Sequence, residues 1–151
     1  GNVYNLVKSV ASNKFLMVGD GRNRKSLAYV DNVAAFLLEC LSLPPGRHMF
    51  NYADKPDFTM NELVALLRGL AGRKPAPGPR LPRTVGLLGG HAADAASRLT
   101  GRTFPISAVR VRKFTENTIF KSDKLPELNF TPPVALRDGM ERFFRAEFGG
   151  G

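Results

Sequence analysis

The sequence predicts an α/β fold in which helices pack with a few short strands. Three observations predict it. The order of periodic segments runs helix, strand, strand, helix, strand, helix. Apolar residues recur at helical spacing in several segments. The apolar runs with strand character are short and end in glycine or proline turns.

Taken in order, NVYNLVKSVAS places Val3, Leu6, Val7 and Val10 on one helical face, which predicts a helix from Asn2 to Ser12. KFLMVGDG reads as a short strand stopped by the Gly19-Asp20-Gly21 turn, and SLAYV as a second strand. Asp31 then has the position and chemistry of an N-cap for a helix running to Ser42, apolar on most sides and so expected between layers. RHMFNYAD reads as a strand. Thr59 and Glu62 have the spacing of a capping box, opening a helix with Leu63, Leu66, Leu67 and Leu70 on one face that ends near Gly72. RKPAPGPRLPR, with four prolines, must be extended and reads as a crossing within one domain. TVGLLGGHAADAASRLTG is helical, its first half weakened by Gly86, Gly89 and Gly90, where small residues permit close approach. ISAVRVRKFTEN fits a helix or a strand. After two prolines, a last helix carries Leu136, Met140, Phe143 and Phe144 as its apolar face.

Composition bounds the function. The 151 residues suggest one domain, spanning residues 1–148 with Gly149–Gly151 as a tail. A chain that starts at Gly1-Asn2 without Met is expected to be a fragment of a longer protein. With 43% hydrophobic residues it can bury a core. The net charge of +9 is compatible with nucleic acid, an anionic surface or phosphorylated small molecules. The single Cys40, amid Phe36, Leu37, Leu38 and Leu41, reads as a buried structural thiol, excludes an intrachain disulfide and fits a reducing, cytoplasmic location. No apolar run reaches the ~20 residues that span a bilayer, and no membrane partner is expected.

The candidate chemistry is sparse. Gly19-Asp20-Gly21 joins two strands, lacks the third glycine of a dinucleotide fingerprint and is not followed by the Lys-Ser/Thr of a P-loop, so it reads as a connecting turn. Arg22, Arg24 and Lys25 form either a solvated cluster or a phosphate contact. Arg110 and Arg112 would share a face, and could clamp a phosphate, if their segment were a strand; otherwise they are surface arginines. His48 and His91 have no Asp or Cys at ligand spacing, which argues against a metal site. Of Tyr4, Tyr29 and Tyr52 only Tyr4 has a Lys four positions later, Lys8; this spacing alone is a loose signal, and no complete catalytic site is assigned to the chain.

GNVYNLVKSVAS, KFLMVGDGRNRKSLAYVDNVAAFLLECL, HMFNYADKPDFTMNELVALL and FKSDKLPELNFTPPVALRDGMERFF, in this order, resemble the second half of extended short-chain dehydrogenase/reductases, the NAD-dependent epimerases and dehydratases of nucleotide-sugars. The resemblance covers nearly the whole chain. It implies the small substrate-binding domain of such an enzyme, without the N-terminal Rossmann sheet that binds NAD or NADP and carries the catalytic Tyr-x-x-x-Lys. The partners it implies are a nucleotide-diphosphate-sugar and that Rossmann domain; no cofactor is expected on this chain. Carried over by position, Asn2 opens the substrate-side helix, and Phe15 and Met17 belong to the strand lining the base. Lys25 stands where the family has a diphosphate-facing Arg, with Arg24 beside it as a substitute. Arg112, or alternatively Arg110, matches a later phosphate-facing Arg. Asn129 replaces a turn glycine and tolerates the same backbone. Loss of the Rossmann half would expose apolar surface on residues 34–41 and 86–96, so self-association is expected. Two other readings stand beside this one: a basic module for nucleic acid, which the lack of aromatics among the charges disfavours, and a non-catalytic scaffold.

Overall fold

The computed structural model describes residues 2–102 and 107–149, without the side chains of Pro126 and Glu127. Ile106 of the ambiguous ISAVRVRKFTEN segment, Gly1 and the last two glycines lie outside the described residues. Among the described residues the fold is α/β, with six α-helices and four two-residue strands. They form two compact units: Gly1–Arg24 with Thr59–Asn117, and Lys25–Phe58 with Thr118–Gly151. The chain passes from one to the other within β2 (Arg24–Lys25), which pairs with β3 (Phe58–Thr59), and again at Asn117–Thr118.

The first unit is built on α1 (Asn2–Ala11) and α3 (Met60–Leu70). Val7 and Val10 of α1 and Met60, Leu63, Val64 and Leu67 of α3 are buried at helical spacing. The Arg73 guanidinium donates to the carbonyls of Val10 and Ala11 at 2.8 and 2.9 Å, adding to the bond that Val10 O accepts from Asn13 N–H and closing the end of α1. The predicted capping box of α3 forms: Glu62 N–H donates to Thr59 Oγ1, and Thr59 N–H donates to Glu62 Oε2 at 2.8 Å. These bonds to Thr59 stabilise the charged carboxylate and hold the Glu62 pKa below its usual value.

The proline-rich crossing contributes β4 (Arg80–Leu81), which pairs in parallel with β1 (Met17–Val18), Met17 opposite Arg80. It leads directly into α4 (Arg83–Thr100), which packs on α5 (Ala108–Thr115). Two glycines set that packing. A Cβ on Gly86 would stand 2.6 Å from Val18 Cγ1, and one on Gly90 would stand 2.6 and 2.7 Å from the backbone N and Cα of Ala108. Asp94, one turn on, accepts the Ala108 N–H at 3.1 Å and so ties the two helices at the same level. The Ser107 hydroxyl caps α5 by accepting from Arg110 N–H at 3.2 Å.

The second unit holds α2 (Val30–Cys40) and α6 (Leu136–Phe148). Its polar centre is buried. Asp54 accepts from Tyr29 N–H at 2.7 Å, from Asn32 Nδ2 at 3.0 Å and from the Tyr52 hydroxyl. Asn32 also donates to Val134 O and accepts from Val134 N–H, fixing the segment that enters α6. Burial, then the hydrogen bond and charge of Asp54, raise the Tyr52 pKa above its ordinary value. Phe36 stacks on Tyr52 and meets Phe50 and Phe130 edge-on. Gly139 lets α6 approach the Tyr29 ring, where a Cβ would lie 2.5 Å from Cγ.

Several expectations are corrected. SLAYV and RHMFNYAD are not strands. Their backbone is joined by Asp54 N–H to Leu27 O, while their side chains serve the buried polar centre and the aromatic cluster instead of a ladder. Asp31 is not the N-cap: α2 starts two residues earlier than that, at Val30, with Tyr29 at the cap and Asp31 exposed in the first turn. Nor is α2 wrapped on most sides, since only Asn32 and Phe36 are buried and Leu38 and Leu41 are 67% and 80% exposed. Cys40 is half-buried. The ambiguous segment is helical where described, so Arg110 and Arg112 do not share a strand face; two residues apart on a helix they diverge.

The glycine packing predicts opposite outcomes at neighbouring positions. Nothing lies within 4 Å of a Cβ on Gly89. Gly89→Ala should stabilise the protein by about 0.5–1 kcal/mol through helix propensity. Gly90→Ala should destabilise it by about 1–3 kcal/mol, because the atoms it meets are backbone. Denaturant unfolding of the two variants checks this; equal effects would refute the close approach.

Candidate functional site

In the first unit an open groove of about 620 Å³ lies over the β1–β4 pair. Its walls are Val18, Gly19 and Asp20 on one side and Arg80, Leu81, Pro82 and Arg83 on the other, with Asn23 and Thr115 also lining it. The Gly19-Asp20-Gly21 turn forms its rim because both glycines take positive φ, 85° and 68°, which L side chains resist.

Asn61 braces this rim. Its backbone N–H donates to Gly21 O at 3.0 Å, its Nδ2 donates to Asp20 O at 2.9 Å, and its Oδ1 accepts from Arg80 Nη2 at 3.3 Å. A Cβ on Gly21 would collide with that amide at 2.1 Å, so the second glycine is required by the brace as well as by φ. Asn23 Nδ2 donates to Phe114 O at 2.8 Å and to Glu116 O at 3.3 Å, fixing the end of α5. The groove therefore has a held backbone frame and two exposed guanidiniums on consecutive elements.

Its charge favours an anion. Arg80 and Arg83 face one carboxylate, Asp20, whose Oδ1 accepts the Arg22 N–H at 3.0 Å. Arg83 is also the first residue of an eighteen-residue helix whose cap position is Pro82 and whose first turn has no side-chain cap. Open amides at a helix start carry partial positive charge and bind phosphate oxygens readily. Planar guanidiniums add a fork that fits two phosphate oxygens.

The residues expected from sequence are dispersed. Asn2 is exposed at the start of α1. Phe15 packs against Phe114 with ring centroids 5.8 Å apart. Met17 is 0% exposed, so its side chain belongs to the core and its strand offers backbone only. Arg24 is exposed in the first unit, with its N–H donating to Asn117 Oδ1 at 2.7 Å. Lys25 falls in the second unit, where its Nζ donates to Thr118 Oγ1 at 3.1 Å. Arg110 and Arg112 are exposed on α5. None of these seven lines the groove, whereas Arg80, Arg83, Asn23 and Asn61 were passed over by the sequence reading. The available signal was RLPR: two arginines around a proline at a helix start.

The Gly19-Asp20-Gly21 turn does not have the form of a dinucleotide-binding turn. The turn after β1 leads to β2 and not to a helix N-terminus, and the space at Gly21 is filled by Asn61. His48 Nε2 lies 2.9 Å from Pro44 O in the second unit and His91 is exposed on α4; among the described residues no group of three or more His, Cys, Asp or Glu could hold a metal ion. No described helix is long and apolar enough to cross a membrane.

No family model matches the chain. Over 149 residues it is 42% identical to the N-acetyl-alpha-D-glucosaminyl-diphospho-ditrans,octacis-undecaprenol 4-epimerase of Escherichia coli O157:H7, covering 98% of this chain and 45% of that protein. It is 34% identical over 145 residues to the uncharacterized protein y4nL of Sinorhizobium fredii (strain NBRC 101917 / NGR234), covering 89% of this chain and 39% of that protein. The chain thus spans less than half the length of these relatives. The crystal structure of gox2253 shares its fold, with a TM-score of 0.68 at 18% identity over 98% of this chain and 44% of the other.

If the groove is an anion site, Arg83→Ala should weaken binding of inorganic pyrophosphate about tenfold, the loss of one charge-assisted contact of about 1.5 kcal/mol. Arg22→Ala, outside the groove lining, should change it less than about twofold. Titration calorimetry on the two variants reads the difference.

Proposed function

We propose that this chain is the substrate-holding part of an epimerase of the extended short-chain dehydrogenase/reductase type, and that its ligand is a sugar joined to a diphosphate. The 42% identity to the E. coli epimerase, running through 98% of the chain, carries the reading. Its ordered motifs and the fold shared with gox2253 agree with it. The cofactor, NAD or NADP, and the catalytic base are assigned to the part of the relative's length that this chain does not match.

In this reading the chain contributes binding and orientation. Arg80, Arg83 and the open first turn of α4 hold diphosphate oxygens in the groove, which leaves the attached sugar to reach reacting groups elsewhere. Binding energy from such a non-reacting part can serve catalysis by positioning the reacting carbon. Lys25, Arg24, Arg112 and Arg110, which do not line the groove, remain proposed diphosphate contacts from the resemblance of their positions alone. Two carriers share this chemistry, a nucleoside and a polyprenol. The undecaprenol-linked substrate named for the E. coli relative favours the polyprenol; the nucleotide-sugar is the second reading.

A chimera tests the proposal. The matching 45% of the E. coli epimerase is replaced by this chain. In detergent, the chimera should interconvert N-acetylglucosaminyl- and N-acetylgalactosaminyl-diphospho-undecaprenol, and Arg83→Ala should lower its kcat/KM about tenfold. Turnover of UDP-N-acetylglucosamine alone would favour the nucleotide-sugar. A folded chimera inactive on both would count against the assignment.

A further inference from the structure

Arg80 and Arg83 both line the groove, yet they are held differently. Arg80 Nη2 donates to Asn61 Oδ1 at 3.3 Å, its one side-chain bond among the described residues. The Arg83 guanidinium has no side-chain partner among those residues.

Asn61 is itself fixed from two sides. It is the second residue of α3, whose start the capping box sets. The first amides of that helix are taken up by the turn after β1: Met60 N–H donates to Asn23 O and Asn61 N–H to Gly21 O, both at 3.0 Å. The Asn61 side chain then reaches from the turn to β4. Its Nδ2 donates to Asp20 O at 2.9 Å, and a backbone carbonyl can only accept. The amide oxygen is thereby turned toward Arg80, which can only donate.

The nature of the acceptor matters. Asp20 lines the same groove, but Arg80 forms no ion pair with it. A neutral amide holds the guanidinium without cancelling its charge. It occupies one of the five N–H groups. Nη2 carries two hydrogens, so one complete two-pronged edge stays open whichever of them Asn61 takes. Arg80 is exposed, and a loose side chain of that length would lose its rotamer freedom on binding. One held beforehand has already lost it.

We infer that Asn61 is a positioning residue: it presents the Arg80 guanidinium, charge uncancelled and one edge open, to an anionic group in the groove. The assignment rests on the reading of the groove as the diphosphate site. It divides the work of the two arginines. Arg80 is set before the ligand arrives; Arg83, on the first turn of α4, orders with it. The Gly19-Asp20-Gly21 turn thus aims a cation through Asn61 as well as forming the rim.

Calorimetric titration of the chain with inorganic pyrophosphate reads this role through a double-mutant cycle. Asn61→Ala should weaken binding about fivefold, the effect of having to order one arginine on binding. The same change should weaken it about fivefold in an Arg83→Ala background and less than about 1.5-fold in an Arg80→Gln background. A merely structural loss would lower affinity equally in both. Asn61→Asp keeps an acceptor but adds a charge, and should weaken binding at least about tenfold. Nitrogen relaxation of the arginine side chains in the unliganded, unsubstituted chain needs no variant to fold: Arg80 Nε–H should be ordered and Arg83 Nε–H mobile. Four results would overturn the inference and leave the groove standing: Arg80 as mobile as Arg83, no loss in Asn61→Ala, an undiminished loss in the Arg80→Gln background, or Asn61→Asp binding as tightly as the parent. Absence of pyrophosphate binding by the unsubstituted chain would overturn both.

Discussion

The first unit depends on the contact between the backbone of α4 and the start of α5. Gly90 rests against the Ala108 backbone and Gly86 against Val18, with no room for a methyl group at either place. That contact settles three things together. It brings α4 onto β1, so that the β1–β4 pair and the helix start form the groove. It aims the first turn of α4, with Arg83, at the groove's edge. And it turns the leucines of α4 outward. A sequence free to place alanine at these positions would have lost the geometry that makes the helix both a wall of the site and an exposed surface.

The second unit is organised by a different interaction, the buried Asp54–Asn32 pair. Its bonds gather segments around residues 29, 54 and 134, distant in sequence, without any strand ladder. Every donor that faces the Asp54 carboxylate is a backbone amide or a neutral side chain. Buried polar groups of this kind are costly unless fully paired, and their pairing specifies one arrangement. The aromatic cluster of Phe36, Phe50, Tyr52 and Phe130 packs around that arrangement.

Much of this was legible in the sequence where local rules decide. The helix at Asn2, the capping box at Thr59 and Glu62, and the last helix follow from periodicity and caps, and each lies within a residue or two of expectation. The strands at SLAYV and RHMFNYAD were misread because β-like composition says only that side chains want burial, not that a partner strand exists. The burial of α2 was overestimated for a related reason: an apolar residue count does not show which face has a neighbour. The groove was least visible. Arg80 and Arg83 sit in a proline-rich crossing whose pairing with β1 is set across more than sixty residues, a register no local pattern encodes. The cations singled out by charge density, Arg22, Arg24 and Lys25, lie in sequence beside the rim but do not line the groove.

The anion groove and the proposed lipid-linked diphosphate sugar meet at one residue, Arg83. The most direct measurement is a titration of the isotope-labelled chain with a short-chain prenyl-diphospho-N-acetylglucosamine, followed by amide chemical shifts. The account predicts that the largest shifts fall on Gly19, Asn23, Arg83 and Thr115. Shifts confined to the second unit, or none at millimolar ligand, would contradict it.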